Sequence, residues 1–151
     1  MRPKVVGVDE FALIDIIVEA MGDRAQGEWV HLGPGDDAAV ITTTPGFDQV
    51  ASIDVLVPNV HFPAQAPAFL IGYRALMVSL SDLAAMGAAP RYCIVALTLT
   101  EKDAGEGGWL AELSRGMAQA ARDSGTYICG GNMTRGPLNI AVSAHGEVAR
   151  G

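Results

Sequence analysis

Lysine is almost missing from this 151-residue chain. Lys4 and Lys102 stand alone, and ten basic residues face seventeen acidic ones, for a formal net charge of −7. Without a basic stripe there is nothing to neutralise a nucleic-acid backbone, which excludes nucleic acid as a partner. Cysteine is equally scarce: Cys93 and Cys129 lie in apolar contexts (RYCIVAL, TYICGG) with no CxxC pair. That usage fits two buried free thiols in a reducing compartment better than a zinc site or a secreted disulfide scaffold. No apolar run reaches the roughly 18 residues of a membrane span, and MRPKVVGVDEF carries no signal-like apolar segment, so a cytoplasmic protein with no membrane partner is expected. Internal repeats, low-complexity tracts and the G-x-x-x-x-G-K-S/T phosphate loop are absent as well.

What is present is apolar: half of the residues are hydrophobic, enough for a core and for one domain spanning 1–151. Asp9 reads as an N-cap, followed by Phe11, Leu13, Ile14, Ile17 and Met21 near helical spacing, with Gly22 as a stop. AAVITTT and QVASIDVLV, separated by Pro45-Gly46, read as a β-hairpin. A long helix is predicted from about Ala66 to Met86, ended by Gly87 and Pro90, and apolar nearly all round except for Ser79, Ser81 and Asp82. YCIVALTLT reads as a strand, WLAELSRGMAQAARDSG as an amphipathic helix ending at Gly125, TYICGG as a short strand and LNIAVSAHGEV as the last strand. The order αββαβαββ predicts an α/β (α+β) fold, a mixed sheet with helices packed on one face. The chain stops at Gly151 just after a strand, which reads as an excised piece of something longer.

Four polar spots interrupt apolar contexts at the ends of these elements: Asp36-Asp37 in GPGDDAAV, Asp54 in SIDVLVPNVHF, Asp82 in SLSDLAAMG, and Asn132 after Gly130-Gly131. Unit like charges 4 Å apart repel by about 4 kcal/mol at an effective dielectric of 20. With no lysine nearby, such aspartates either stay apart or share a hard divalent cation, magnesium being the usual occupant of oxygen-only sites that also receive phosphate. GPGDDA matches G-x-G-x-x-A in letters only, because its glycines open a strand and not a helix. GGNMTRGP reads as a turn between two strands whose bare amides, with Thr134 and Arg135, could approach an anion. Of the Asp pair, Asp36 is the one expected to cap the turn; His31 and His145 are read as structural.

In order and wording, GPGDDAAV, SIDVLVPNVHF, SLSDLAAMGAAPRY and GGNMTRGPLNIAVSAHGEV resemble the successive motifs of the thiamine-monophosphate kinase family, in the AIR-synthase-like superfamily. The resemblance implies ATP-dependent phosphorylation of thiamine monophosphate to thiamine diphosphate, with several Mg2+ ions between the substrates. It also implies a homodimer joined through a shared β-barrel, and a C-terminal domain that this chain lacks. Carried over residue by residue, it assigns Asp37, Ser52, Asp54, Asp82 and Asn132 to metal, Gly131 and Asn132 to nucleotide, and His61 to thiamine monophosphate. Asn132 stands where relatives show Asp and removes one charge from that site; Ile53 and Met133 replace usual threonines. Other readings are another ATP-dependent enzyme of the superfamily (a selenophosphate synthetase, an AIR synthase or a hydrogenase-maturation protein) and a non-catalytic dimerisation fragment. The selenophosphate synthetase alone is disfavoured, because no reactive Cys accompanies Lys4 near the N-terminus.

Overall fold

A computed structural model describes residues 4–5, 8–105 and 108–151, those up to residue 10 in backbone only. The short strands β1 (Lys4–Val5) and β2 (Val8–Asp9) pair with each other and lead into helix α1 (Glu10–Met21). The helix starts directly after Asp9, whose side chain, like that of Lys4, lies outside the described residues. Gly22 takes φ 54 and turns the chain into a single 3-10 turn, Gly22–Ala25. Then follow β3 (Val30–Leu32), β4 (Val40–Ile41), β5 (Phe47–Leu56), α2 (Ala68–Ala85), β6 (Ala89–Leu99), α3 (Glu101–Gly105), α4 (Trp109–Ser124), β7 (Tyr127–Arg135) and β8 (Asn139–Ala149).

The main sheet has the order β5-β8-β6-β7. Its first two pairings are antiparallel and β6–β7 is parallel, joined by the α3–α4 crossover. A mixed sheet with helices on one face is thus what the chain builds. The predicted hairpin is not formed: β4 is two residues long and pairs with β3, whereas β5 pairs along ten residues with β8. The physical reason is length and burial. β8 matches β5 along its whole run, and this register turns Val50, Ser52, Asp54 and Leu56 inward. The segment holding β3 and β4 is drawn instead to the β7 edge, where Trp29 meets Tyr127 edge-on at 5.2 Å and Arg91 lies over the Trp29 ring.

The second correction concerns GGNMTRGP. β7 runs through it to Arg135, so the chain reverses only at Gly136 and Pro137. Gly131 is bare because a Cβ there would overlap the Val95 carbonyl of the neighbouring strand. Its glycine serves strand approach, not a turn.

The core lies between the sheet and the pair α2 and α4. Ile71, Leu76 and Leu83 of α2 and Leu113 and Met117 of α4 are almost wholly buried against Cys93, Leu97 and Leu99 of β6 and Ile140 and Val142 of β8. By length and composition α2 could cross a membrane, with mean hydropathy 1.4 over 18 residues; its packing is that of a core helix. Ser79 and Ser81 return their hydroxyls to helix carbonyls, of Ala75 and Val78. α4 ends where Gly125 takes φ 72, as its sequence predicts. Burial pushes the Cys93 thiol up to about 12 and the Cys129 thiol up to about 11, so both stay protonated and unreactive.

The other face of the sheet is open. Alternation turns Ile53 and Val55 of β5 and Ile94 of β6 outward, 67, 48 and 38% exposed. Beside them His145 stacks on Tyr92 with ring centroids 4.5 Å apart, and its Nε2 lies 2.9 Å from the Ser143 hydroxyl. Its burial there lowers its pKa.

Candidate functional site

Period-two alternation puts Ser52 and Asp54 on the helix-facing side of β5, two residues apart. One turn before the end of α2, Asp82 faces the same strand: the Ser52 hydroxyl donates to Asp82 Oδ2 at 2.7 Å. Asp82 therefore does not serve Ser79, whose hydroxyl is satisfied within the helix. Asp54 has no such partner: its Oδ2 is buried and accepts no hydrogen bond. A carboxylate can only accept, and a buried acceptor left unpaired is costly. An orphaned carboxylate oxygen next to a hydroxyl–carboxylate pair is an oxygen donor set, and such a set fits a hard divalent cation.

The remaining acidic and polar candidates lie at the opposite edge. Asp36 Oδ1 accepts the Asp37 backbone N–H at 2.8 Å, so Asp36 caps the turn and the Asp37 carboxylate stays exposed. That loop leans on β7, since Ala39 lies 3.9 Å from where a Gly130 Cβ would stand. Asn132 is exposed on β7 and pairs with Ala96, and Ala96 with Ala141, a row belonging to the open face. Asp54 belongs to the helix-facing row of Val142, Val95 and Gly131, buried at Val142 and Val95. β5 and β7 are three inter-strand spacings apart, about 14 Å. The residues expected to form one cluster are thus spread over the sheet: the β5 half holds Ser52 and Asp54 with Asp82 of α2, and the β7 half holds Gly131 and Asn132, on opposite faces of the strand, with Asp37 in the loop before β4. Among the described residues no three His, Cys, Asp or Glu side chains come together as a metal cluster.

His61 sits in the tight loop after β5. Asn59 takes φ 62, its backbone N–H donates to the Phe62 carbonyl, and its side chain accepts the Ala64 N–H. The Val57 N–H donates to His61 Nδ1 at 3.1 Å, which leaves the proton of the neutral ring on Nε2. Arg74 of α2 donates its Nε to the His61 carbonyl at 3.0 Å. Between them opens a cleft of about 230 Å³ with an apolar lining. Sequence reasoning missed Arg74, although a lone cation in an otherwise apolar helix is a readable signal. A larger hollow, about 530 Å³ between α1, α3 and α4, contains none of the residues predicted for the site.

Residues 35–148 match the family described as AIR synthase related protein, N-terminal domain. The chain is 38% identical over 122 residues to the thiamine-monophosphate kinase of Escherichia coli (strain K12), an alignment that covers 81% of this chain and 37% of that protein. Among solved structures it superposes on the thiamine-monophosphate kinase of Stenotrophomonas maltophilia K279a with a TM-score of 0.78 and 41% identity, covering 94% of this chain and 43% of that one. The hydrogenase maturation protein HypE in complex with ATP gives a TM-score of 0.70 and 26% identity over 91% of this chain and 39% of its own. The chain spans a little over a third of the length of the curated relatives it matches.

Proposed function

The chain belongs to the AIR synthase related family as its N-terminal domain, and from that membership we propose that the protein is a thiamine-monophosphate kinase acting in the cytoplasm. In this reading residues 1–151 form its metal- and nucleotide-binding domain. The reaction transfers the γ-phosphoryl group of ATP to a phosphate oxygen of thiamine monophosphate: the bond from the γ-phosphorus to the β–γ bridging oxygen breaks, and ADP leaves. A monoester phosphate is already ionised near neutral pH, so no side chain needs to take a proton from it. The chain's task is to hold two anions in line against their repulsion.

The observation that carries the reading is the buried, unpartnered Asp54 Oδ2 beside the Ser52–Asp82 hydrogen bond. Mg2+ would be held there, and by Asp37 and Asn132 at the β7 edge, and when bound supplies the positive charge that neutralises the phosphates. Asn132 offers a carbonyl oxygen and no charge, so its half leans more on the phosphates than Asp would. Gly131 and Asn132 would face the nucleotide from that edge, and His61 Nε2–H is a donor for the acceptor substrate. Identity favours this reading over hydrogenase maturation, 41% against 26%. Incubating the protein with ATP, thiamine monophosphate and Mg2+ should yield thiamine diphosphate and ADP in equal amounts by chromatography. ADP release with no thiamine diphosphate would refute the assignment.

The exposed sheet face and the outer edge of ten-residue β5, unpaired among the described residues, support a homodimer closed through a β-barrel, since an uncovered edge of that length invites pairing. Sedimentation at micromolar concentration should show a dimer, and Ile94→Lys a monomer with an unchanged fold by circular dichroism, because burying a lysine in that face costs several kcal/mol. A dimeric Ile94→Lys protein would place the interface elsewhere.

A further inference from the structure

The arginines of this acidic chain are almost all paired. Of the seven described, Arg24, Arg91, Arg115, Arg122, Arg135 and Arg150 each lie within 4.0 Å of a carboxylate. Arg74 is the exception. With a net charge of −7, carboxylates are plentiful, yet Arg74 spends only its Nε, on the His61 carbonyl. Both terminal amino groups of its guanidinium are without a partner among the described residues. A planar fork of this kind matches the paired oxygens of a phosphate.

The loop opposite is built to hold its shape. His61 is fixed at both ends, its Nδ1 by the Val57 N–H and its carbonyl by Arg74, and Phe62 beside it is 5% exposed. Asn59 locks the turn from within. The imidazole is left with one free polar atom, Nε2, a donor when the ring is neutral and still a donor when it is charged. Ala66, Leu70 and Ile71 complete the walls. Leu70 and the nearby Val60 are 57 and 73% exposed, apolar surface awaiting cover at the rim. At about 230 Å³ the cleft falls below the roughly 300–1,000 Å³ of sites that enclose a drug-sized ligand. That volume suits one flat ring better than a nucleotide.

We infer that Arg74 is a specificity-determining residue of the acceptor site. Its guanidinium and His61 Nε2–H clamp the phosphate of a monoester whose heterocyclic ring enters the apolar cleft. The inference rests on the kinase reading and names the side of the domain on which the acceptor, not ATP, is chosen. Arg74 acts in two ways that can be separated: its charge binds the phosphate, and its Nε holds the His61 loop.

The test is calorimetric titration of thiamine monophosphate, phenyl phosphate and a non-hydrolysable ATP analogue into wild-type, Arg74→Met and Arg74→Lys protein, with Mg2+ constant. Arg74→Met should weaken thiamine monophosphate at least 10-fold, and Arg74→Lys, which keeps the charge and loses the fork, about 3-fold. The ATP analogue should bind all three within 2-fold, and in steady state the Arg74→Met loss should appear in KM for thiamine monophosphate with KM for ATP unmoved. Equal thiamine monophosphate affinity in wild type and Arg74→Met overturns the inference. So does a parallel loss of the ATP analogue, which would mean that the domain itself is damaged. If only phenyl phosphate binds, and binds 10-fold more weakly to Arg74→Met, the anion clamp stands and the thiamine assignment falls.

Discussion

Asp54→Asn should abolish magnesium-dependent formation of thiamine diphosphate, with turnover down at least about 100-fold, the scale on which a preorganised electrostatic group acts. The same substitution should leave the protein as stable as before, or more so, in the absence of Mg2+. Both effects follow from one atom. Asp54 Oδ2 is shielded from water and has no hydrogen-bond donor, so the ion-free protein bears the cost of an unpaired buried acceptor, about 1–3 kcal/mol. Asparagine has nearly the same shape and no charge, so it adds no cost beyond that of the polar atom already unpaired there. Residues held in an unfavourable state until a ligand arrives commonly show this trade of stability for activity. Mg2+ should raise the melting temperature of the wild type and not of Asp54→Asn, because an ion that binds only the folded state stabilises by mass action. Asp48→Asn is the control: Asp48 is exposed on the same strand and paired with Arg150 at 2.9 Å, and its loss should leave turnover unchanged. An Asp54→Asn protein with wild-type turnover at saturating Mg2+ would remove the physical basis of the proposed site.

Three helices, α1, α2 and α4, were legible in the sequence; the short α3 and the strand partners were not. α1 and α4 show their stops locally: Gly22 and Gly125 each take positive φ where the helical pattern ends. A hairpin, by contrast, is a statement about two distant surfaces. Pro45-Gly46 does turn the chain, with the Phe47 N–H bonded to the Thr44 carbonyl, but which strand lies beside β5 is decided by β8, about ninety residues later. Gly130-Gly131 misled for a related reason. A glycine pair is the standard mark of a turn, and the competing explanation, that Val95 leaves no room for a Cβ, exists only once β6 and β7 are in register. At the site, the alternation of Ser52 and Asp54 could be read from β5 alone, and Asp36 as the turn cap from its position. The family resemblance assigned Ser52 and Asp82 each to metal; that their side chains bond each other, thirty residues apart, had no signal in the spacing. The distance between the β5 and β7 halves had no local signal at all, because sheet order is a property of the assembled fold. Arg74 shows in the sequence only as a lone cation in an apolar helix; that it is the described arginine without a carboxylate partner needs the fold, because pairing is invisible in one dimension.

Gly116→Ala should be among the most destabilising single changes in the domain, although by helix propensity it ought to help. In a helix interior alanine is favoured over glycine by about 1 kcal/mol. Gly116 and Gly72, however, are where α4 and α2 touch backbone to backbone: a Cβ on Gly116 would overlap the Phe69 carbonyl, and one on Gly72 the Leu113 carbonyl. Neither obstacle is a flexible side-chain end that could swing aside. The helices must separate, and both are pinned on the sheet by buried residues, Ile71 and Leu76 on α2 and Leu113 and Met117 on α4. Overpacking a rigid core costs about 1–3 kcal/mol and at times more; with backbone on both sides the upper end applies, so the clash outweighs the propensity gain. A net loss of about 2 kcal/mol corresponds to roughly 4–8 °C in Tm for a domain of this size. Adding Gly72→Ala should cost less than its effect alone, because helices already pushed apart accept the second methyl group. Gly105→Ala, with nothing within 4 Å of its would-be Cβ, should stay within about 0.5 kcal/mol of wild type. The movement also reaches the site, since α2 carries Asp82 to its hydrogen bond with Ser52: at temperatures where Gly116→Ala is still folded, its affinity for Mg2+ should fall while that of Gly105→Ala does not. A Gly116→Ala melt at or above the wild-type temperature would show that α2 and α4 do not meet at these glycines.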